Sequence, residues 1–162
     1  MSQQETPASP AREIEDLLTN HGINEWSLQT ALDKVLARFD CVAGTIHGLN
    51  RDTGLLELRA ARNIPQSLLA KVRTIPIGKG MAGLAAERRQ PVQVCNLQTD
   101  TSGVAKPSAK ETRMEGSIAV PILSGTTLSG VLGIAKPIAY EFSEAEVTDL
   151  QSVGAVLARY LG

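Results

Sequence analysis

The chain has little cysteine: Cys41 and Cys95 are the only two in 162 residues. That is too few for a disulfide framework, and it fits a reducing, cytoplasmic setting. No apolar run approaches the roughly 18 residues that a membrane-spanning helix needs. The opening segment MSQQETPASP has neither the basic start nor the apolar stretch of a secretory signal. A formal net charge of −1 leaves no excess of either sign, which argues against general binding to nucleic acid or to a membrane surface. What is present is ordinary for one soluble domain able to bury a core: 43% apolar and 20% charged residues. The charge is unevenly spread. Residues 59–113 carry ten basic and three acidic side chains, and the segments on either side are net acidic. Such a block reads either as a solvated mixed surface or as a site for an anionic ligand or acidic partner.

The stretch from Ile75 to Val92, IPIGKGMAGLAAERRQPV, is the most informative. A short apolar strand enters a turn at Gly78, Gly80 and Gly83; a small helix follows, then a strand from Pro91. That order builds one wall of a small-molecule pocket. It carries no residue set that would do chemistry, so it points to binding or sensing more than to catalysis. It is not a dinucleotide fingerprint, because no βαβ unit follows and the acidic residue expected about 20 positions on is missing. The glycines instead permit a tight turn and close packing of the small helix.

Residues 1–9 are polar and read as disordered. Ser9-Pro10 starts a short helix over residues 10–22, with Ile14, Leu17 and Leu18 as its apolar stripe and His21-Gly22 as its end. A single domain occupies residues 23–162. Its first helix places Leu28, Ala31, Leu32, Val35, Leu36 and Phe39 on one face, capped by Asn24 or Ser27. Cys41 to Leu49 reads as a strand, with Val42 and Ile46 on one face and Thr45 and His47 on the other. After the loop 50–54, Leu55 to Ala61 alternates Leu56, Leu58 and Ala60 against Glu57 and Arg59. A helix led by Pro65 runs through Val72. The polar stretch from Asn96 to Glu115 is a long loop, a length that is usually functional or mobile. Strands follow at Ser117–Leu123 and Leu128–Lys136, with Pro121 marking an edge or a bulge. The last helix opens on a capping box of Ser143 and Glu146. It has two apolar stripes, Leu150–Gly154–Leu157–Leu161 and Val153–Val156–Tyr160, so it must bury something beyond its own sheet.

This order of elements resembles the GAF domain. The resemblance rests on GTIHGLNRDTGLLELRAA, IPIGKGMAG with RQPVQV after it, SIAVPI, LSGVLGIAKP and FSEAEVTDLQSVGAVLARYL, over roughly residues 24–162. It implies an α+β fold: a central antiparallel sheet with the first and last helices on one face. A ligand pocket under short helices and the long loop lies on the other. It also accounts for Pro121 within a strand. The implied role is that of a stand-alone sensory or regulatory domain that binds a small molecule and acts through dimer or partner contacts. The Asn-Lys-x-Phe-Asp-Glu signature of the cyclic-nucleotide branch is missing, and neither cysteine has a bilin context. The free methionine-R-sulfoxide reductase branch carries a cysteine in the glycine turn and others in the long loop. Here the turn has Met81 and the loop has none, which removes the nucleophile and its resolving partner. A redox enzyme or thiol sensor of that type remains an alternative, supported by the two cysteines; a ligand-free interaction module is another.

The resemblance singles out as ligand-binding candidates Thr45 and His47 on one strand face, Ile77, Met81, Cys95 and Arg113, and Ala119 and Gly133, whose small side chains leave room for a ligand. Val153, Val156 and Tyr160 are the candidate homodimer interface. No catalytic residues and no metal ligands are assigned, and no cofactor is identified. Each candidate has a plainer reading. Met81 fills space, His47 is a hydrogen-bonded structural residue, and Cys95 is a small hydrophobe unless Arg88 and Arg89 activate it. Lys106, Lys110 and Arg113 lie in the loop over the pocket. Pointing inward they select an anionic ligand; pointing outward they are a solvated surface.

Overall fold

The computed structural model describes residues 9–161; the polar start expected to be disordered lies, but for Ser9, outside them. Helix α1 (Pro10–His21) begins where the Ser9 hydroxyl accepts from the Arg12 amide at 3.3 Å. It ends at Gly22, whose φ of 67° suits a residue without a Cβ. Helix α2 (Glu25–Arg38) is started by both candidate caps at once. Asn24 Oδ1 accepts from the Ser27 amide at 2.8 Å, and Ser27 Oγ accepts from the Asn24 amide at 2.9 Å. The chain continues through β1 (Ala43–Asn50), β2 (Leu55–Arg62), α3 (Gln66–Val72), β3 (Thr74–Pro76), α4 (Gly80–Arg88) and β4 (Val92–Val94). A long connection holding a 3-10 helix (Pro107–Thr112) leads to β5 (Ser117–Ser124), β6 (Thr127–Ala135) and α5 (Glu144–Leu161). The six strands form one antiparallel sheet in the order β3-β2-β1-β6-β5-β4. The fold is the α+β architecture expected.

Strand alternation splits the apolar side chains between two faces. Ile46, Ile118, Val120, Ile122, Leu132 and Ile134 face α2 and α5, where Leu28, Leu32, Val35, Leu150 and Leu157 bury them. Each such Leu or Ile contributes about 1.5–3 kcal/mol relative to exposure in water. Gly154 lets α5 approach β5: a Cβ there would stand 3.1 Å from the Pro121 carbonyl. Pro121 needs no ladder donor on its far side, since β4 pairs β5 only from Ser117 to Ala119.

Three expectations need correction. Val42 precedes β1 and is exposed. In β2, Leu56 and Ala60 do not share a face. The register shifts between Ile46 and His47, which pair with Ala60 and Leu58, so Arg59 is an extra residue. That bulge reverses the alternation, and Leu56 joins the sheet's other face while Ala60 joins the helix side. Third, the Val153–Val156–Tyr160 stripe does not face outward. Helix α1 of the same chain lies across α2 and α5, leaving Val153 and Val156 only 0% and 4% exposed. The Tyr160 hydroxyl sits 2.9 Å from Thr19 Oγ1, and Arg159 meets Glu15 at 3.0 Å. Helix α1 is therefore part of the same core as residues 23–161, and α5 turns Thr148, Gln151, Ser152 and Arg159 to solvent.

Beyond β6, Lys136 is buried. Its Nζ donates to the Phe39 and Asp40 carbonyls at 2.6 and 3.1 Å, and it stands 4.4 Å from the centre of the Tyr140 ring. A cation at the C-terminal end of α2 satisfies carbonyls that the helix leaves unpaired.

Candidate functional site

The face of the sheet away from α2 and α5 carries a cavity of about 400 Å³, within the usual range for small-molecule sites. Its floor comes from alternate residues of three adjacent strands: Ala43, Thr45 and His47 of β1, Ala119 of β5, and Gly133 and Ala135 of β6. Most of these side chains are small, and that leaves the space. Leu68 and Val72 of α3, Ile75 of β3 and Met81 of α4 form an apolar wall; Ala105, Ala109 and Met114 of the long connection form the roof.

The glycine turn holds α4 against this space. Gly78 and Gly80 adopt φ of 92° and 68°, a region that disfavours residues with a Cβ. A Cβ on Gly83 would lie 2.6 Å from the Pro76 carbonyl oxygen, and the Gly78 amide donates to the Gly83 carbonyl at 2.8 Å. The first turn of α4 is thereby clamped onto the end of β3. No side chain caps it. The amides of Gly80, Met81 and Ala82 find no hydrogen-bond partner among the described residues, and all three residues line the cavity.

His47 is 1% exposed. Its Nε2 donates to the Val72 carbonyl at 2.7 Å. A carbonyl only accepts, so the proton sits on Nε2 and Nδ1 is left as an acceptor. Nδ1 is buried with no partner among the described residues. Burial pushes the imidazole below its ordinary value of 6.5, outweighing the bond to Val72, so the ring is neutral.

The long connection is tied down as a lid. Gln98 Nε2 donates to the carbonyls of Lys110 and Met114 at 3.2 and 2.9 Å, joining its two arms. Lys71 of α3 meets Glu111 at 3.3 Å. The stem of Lys106 crosses the glycine turn, its Cγ 3.5 Å from where a Gly80 Cβ would stand.

Five of the eight ligand-binding candidates, Thr45, His47, Met81, Ala119 and Gly133, line this cavity. Three do not. Ile77 lies beyond the end of β3, where Ile75 takes the inward position, and is 41% exposed. Cys95 follows β4 with its side chain exposed, out of phase with buried Val92 and Val94. Arg113 closes the 3-10 helix in a left-handed conformation, φ 60°, and is exposed. Of the other lid cations, Lys106 lines the cavity, whereas Lys110 borders only a second cleft, which shares Lys79, Gly80 and Lys106 with it. Lys71, Lys79, Val72 and Gln98 were not anticipated; only Lys79, inside the glycine turn, carried a sequence signal. Cys41 sits in the helix-side core, its thiol pushed up to about 11 chiefly by burial. Neither cysteine touches the cavity.

A family model described as GAF domain matches residues 27–161. The chain belongs to the GAF domain family. Its structure is similar to that of the GAF domain from a phosphoenolpyruvate-protein phosphotransferase of Acinetobacter, at 19% identity and TM-score 0.78, covering 99% of this chain and 94% of that one. The corresponding domain from Coxiella burnetii is 21% identical, with TM-score 0.76 and coverage of 96% and 95%. Free methionine-R-sulfoxide reductase from Neisseria meningitidis, solved with its substrate, is 18% identical, with TM-score 0.75 and coverage of 93% and 85%. No curated protein matches. Among the described residues no helix is long and apolar enough to cross a membrane, and no group of three or more His, Cys, Asp or Glu could hold a metal ion.

Proposed function

We propose that this chain is a small-molecule-binding sensory module, working in the cytoplasm, that takes its ligand in the cavity under the lid. It reports occupancy through contacts with a second copy or a regulatory protein. The observation that carries this reading is the cavity itself, lined mostly by apolar groups and roofed by a lid tied at Lys71 and Gln98. A reductase reading has the fold of the Neisseria enzyme in its favour but lacks a thiol at the cavity, where the turn presents Met81.

The test is a thermal-shift screen of small metabolites against wild type and Gly133→Leu, whose side chain enters the cavity floor. A compound that raises the melting temperature of wild type and not of the variant supports the reading. Shifts of equal size in both proteins place binding elsewhere and defeat it.

A further inference from the structure

We propose that the ligand is an uncharged, largely apolar small molecule with one neutral hydrogen-bonding group, which it turns to the Thr45 hydroxyl. This rests on the reading of the cavity as a small-molecule site.

Most polar side chains of the lining are already bonded to the protein or stand at its solvent edge. Thr112 Oγ1 donates to the Ala109 carbonyl at 2.7 Å and accepts from the Met114 amide at 3.1 Å. Ser117 Oγ donates to the Ile134 carbonyl at 3.3 Å. His47 spends Nε2 on the Val72 carbonyl, and its Nδ1 is fully buried, so a ligand reaches neither nitrogen. The charged residues of the lining are Lys71, Lys79 and Lys106, and all three are exposed. Lys71 is engaged by Glu111. The start of α4 lies at the same solvent edge as Lys79 and Lys106. The Glu87 carboxylate stands at that turn, 3.0 Å from where a Gly78 Cβ would be. Among the described residues, then, no charged group lies within the cavity to answer a charged ligand. A charge carried there from water loses hydration without compensation.

Two lining hydroxyls, Thr45 on the floor and Ser108 on the lid, make no side-chain hydrogen bond among the described residues. The floor fixes which one a buried ligand meets. Thr45 pairs with Gly133 across the sheet, and its Oγ1 lies 3.5 Å from where a Gly133 Cβ would stand. It therefore borders the space that the glycine leaves. Thr45 and Gly133 keep accessible surface, whereas their floor neighbours Ala43, His47, Ala119 and Ala135 are buried. A hydroxyl both donates and accepts, so one neutral polar group on the ligand satisfies it. The rest of the ligand meets Leu68, Val72, Ile75, Met81 and Met114, where each Å² of apolar surface removed from water contributes about 25 cal/mol.

A neutral fluorescent probe, N-phenyl-1-naphthylamine, reports entry into an apolar site. Three compounds of one ring system compete with it on the full chain at neutral pH: 2-naphthol, 2-methylnaphthalene and the anion 2-naphthoate. The naphthol should displace the probe at a concentration about tenfold lower than the naphthoate. In Thr45→Val, which keeps the side-chain shape and loses the hydroxyl, the naphthol should weaken about threefold or more relative to methylnaphthalene. Gly133→Leu and the lid variant Ala109→Phe fill the cavity from opposite sides, and both should abolish the probe signal. An unchanged ratio in Thr45→Val would overturn the polar contact. If the naphthoate competes as well as the naphthol, and both filling variants abolish its binding, the inference is overturned while the cavity reading stands. If neither the probe nor any competitor binds, the inference is overturned. The cavity reading falls with it only where the metabolite screen also finds no shift that Gly133→Leu removes.

Discussion

Replacing Gly83 by alanine tests the clamp that positions α4. Two effects oppose. Alanine inside a helix is better than glycine by about 1 kcal/mol. Against that, the new Cβ would stand 2.6 Å from the Pro76 oxygen and 3.1 Å from the Gly78 nitrogen. Both are backbone atoms, so neither can step aside by changing rotamer. Forcing them apart costs about 1–3 kcal/mol, and losing the Gly78–Gly83 hydrogen bond adds about 1 kcal/mol. The net expectation is a loss of about 1–3 kcal/mol, read as a lower urea midpoint, and a melting temperature lower by roughly 4–8 °C for about 2 kcal/mol at this chain length. Gly133→Ala is the control: its Cβ would meet Thr45 Oγ1 at 3.5 Å and the Ile118 oxygen at 3.9 Å, ordinary contacts. It should leave stability within about 1 kcal/mol of wild type. A Gly83→Ala protein as stable as wild type would refute the clamp.

Lys136→Met strips the donor from the Phe39 and Asp40 carbonyls and should lose about 1.5–3 kcal/mol in urea unfolding; unaltered stability would show that the lysine caps nothing of consequence. A thiol reagent should modify exposed Cys95 in the native protein and reach Cys41 only on unfolding, because burial pushes that thiol up to about 11; two equally fast native thiols would contradict the placement. His47 refuses in the fold a proton that the unfolded chain takes below its ordinary 6.5. Its contribution is therefore whole above that value and falls as pH drops, by at most about 1.4 kcal/mol per pH unit. His47→Phe should flatten the wild-type slope between about pH 7 and about pH 5.5, and an identical slope would assign it to other groups.

Features set by neighbours in the chain were legible beforehand. Ser9, Asn24 and Ser143 announce helix starts because a cap acts within three residues; Glu146 Oε1 indeed accepts from the Ser143 amide at 2.9 Å. Thr45 and His47 followed from the two-residue period of a strand, and Ala119 and Gly133 from small side chains that leave room on the later strands. Ile77, Cys95 and Arg113 lie past strand or helix ends, where no period fixes the direction of a side chain. The Arg59 bulge was hidden, because it exists only in the pairing of β2 with β1. The second stripe of α5 was visible as apolar, but nothing local says that α1 covers it. The unpaired Nδ1 of His47 depends on Val72, 25 residues away.

Native mass spectrometry of gently purified protein addresses the central claim most directly. Wild type should carry extra mass of small-molecule size that disappears on denaturation, and Gly133→Leu should carry none. Retention of the same mass by both proteins would contradict a ligand seated in this cavity.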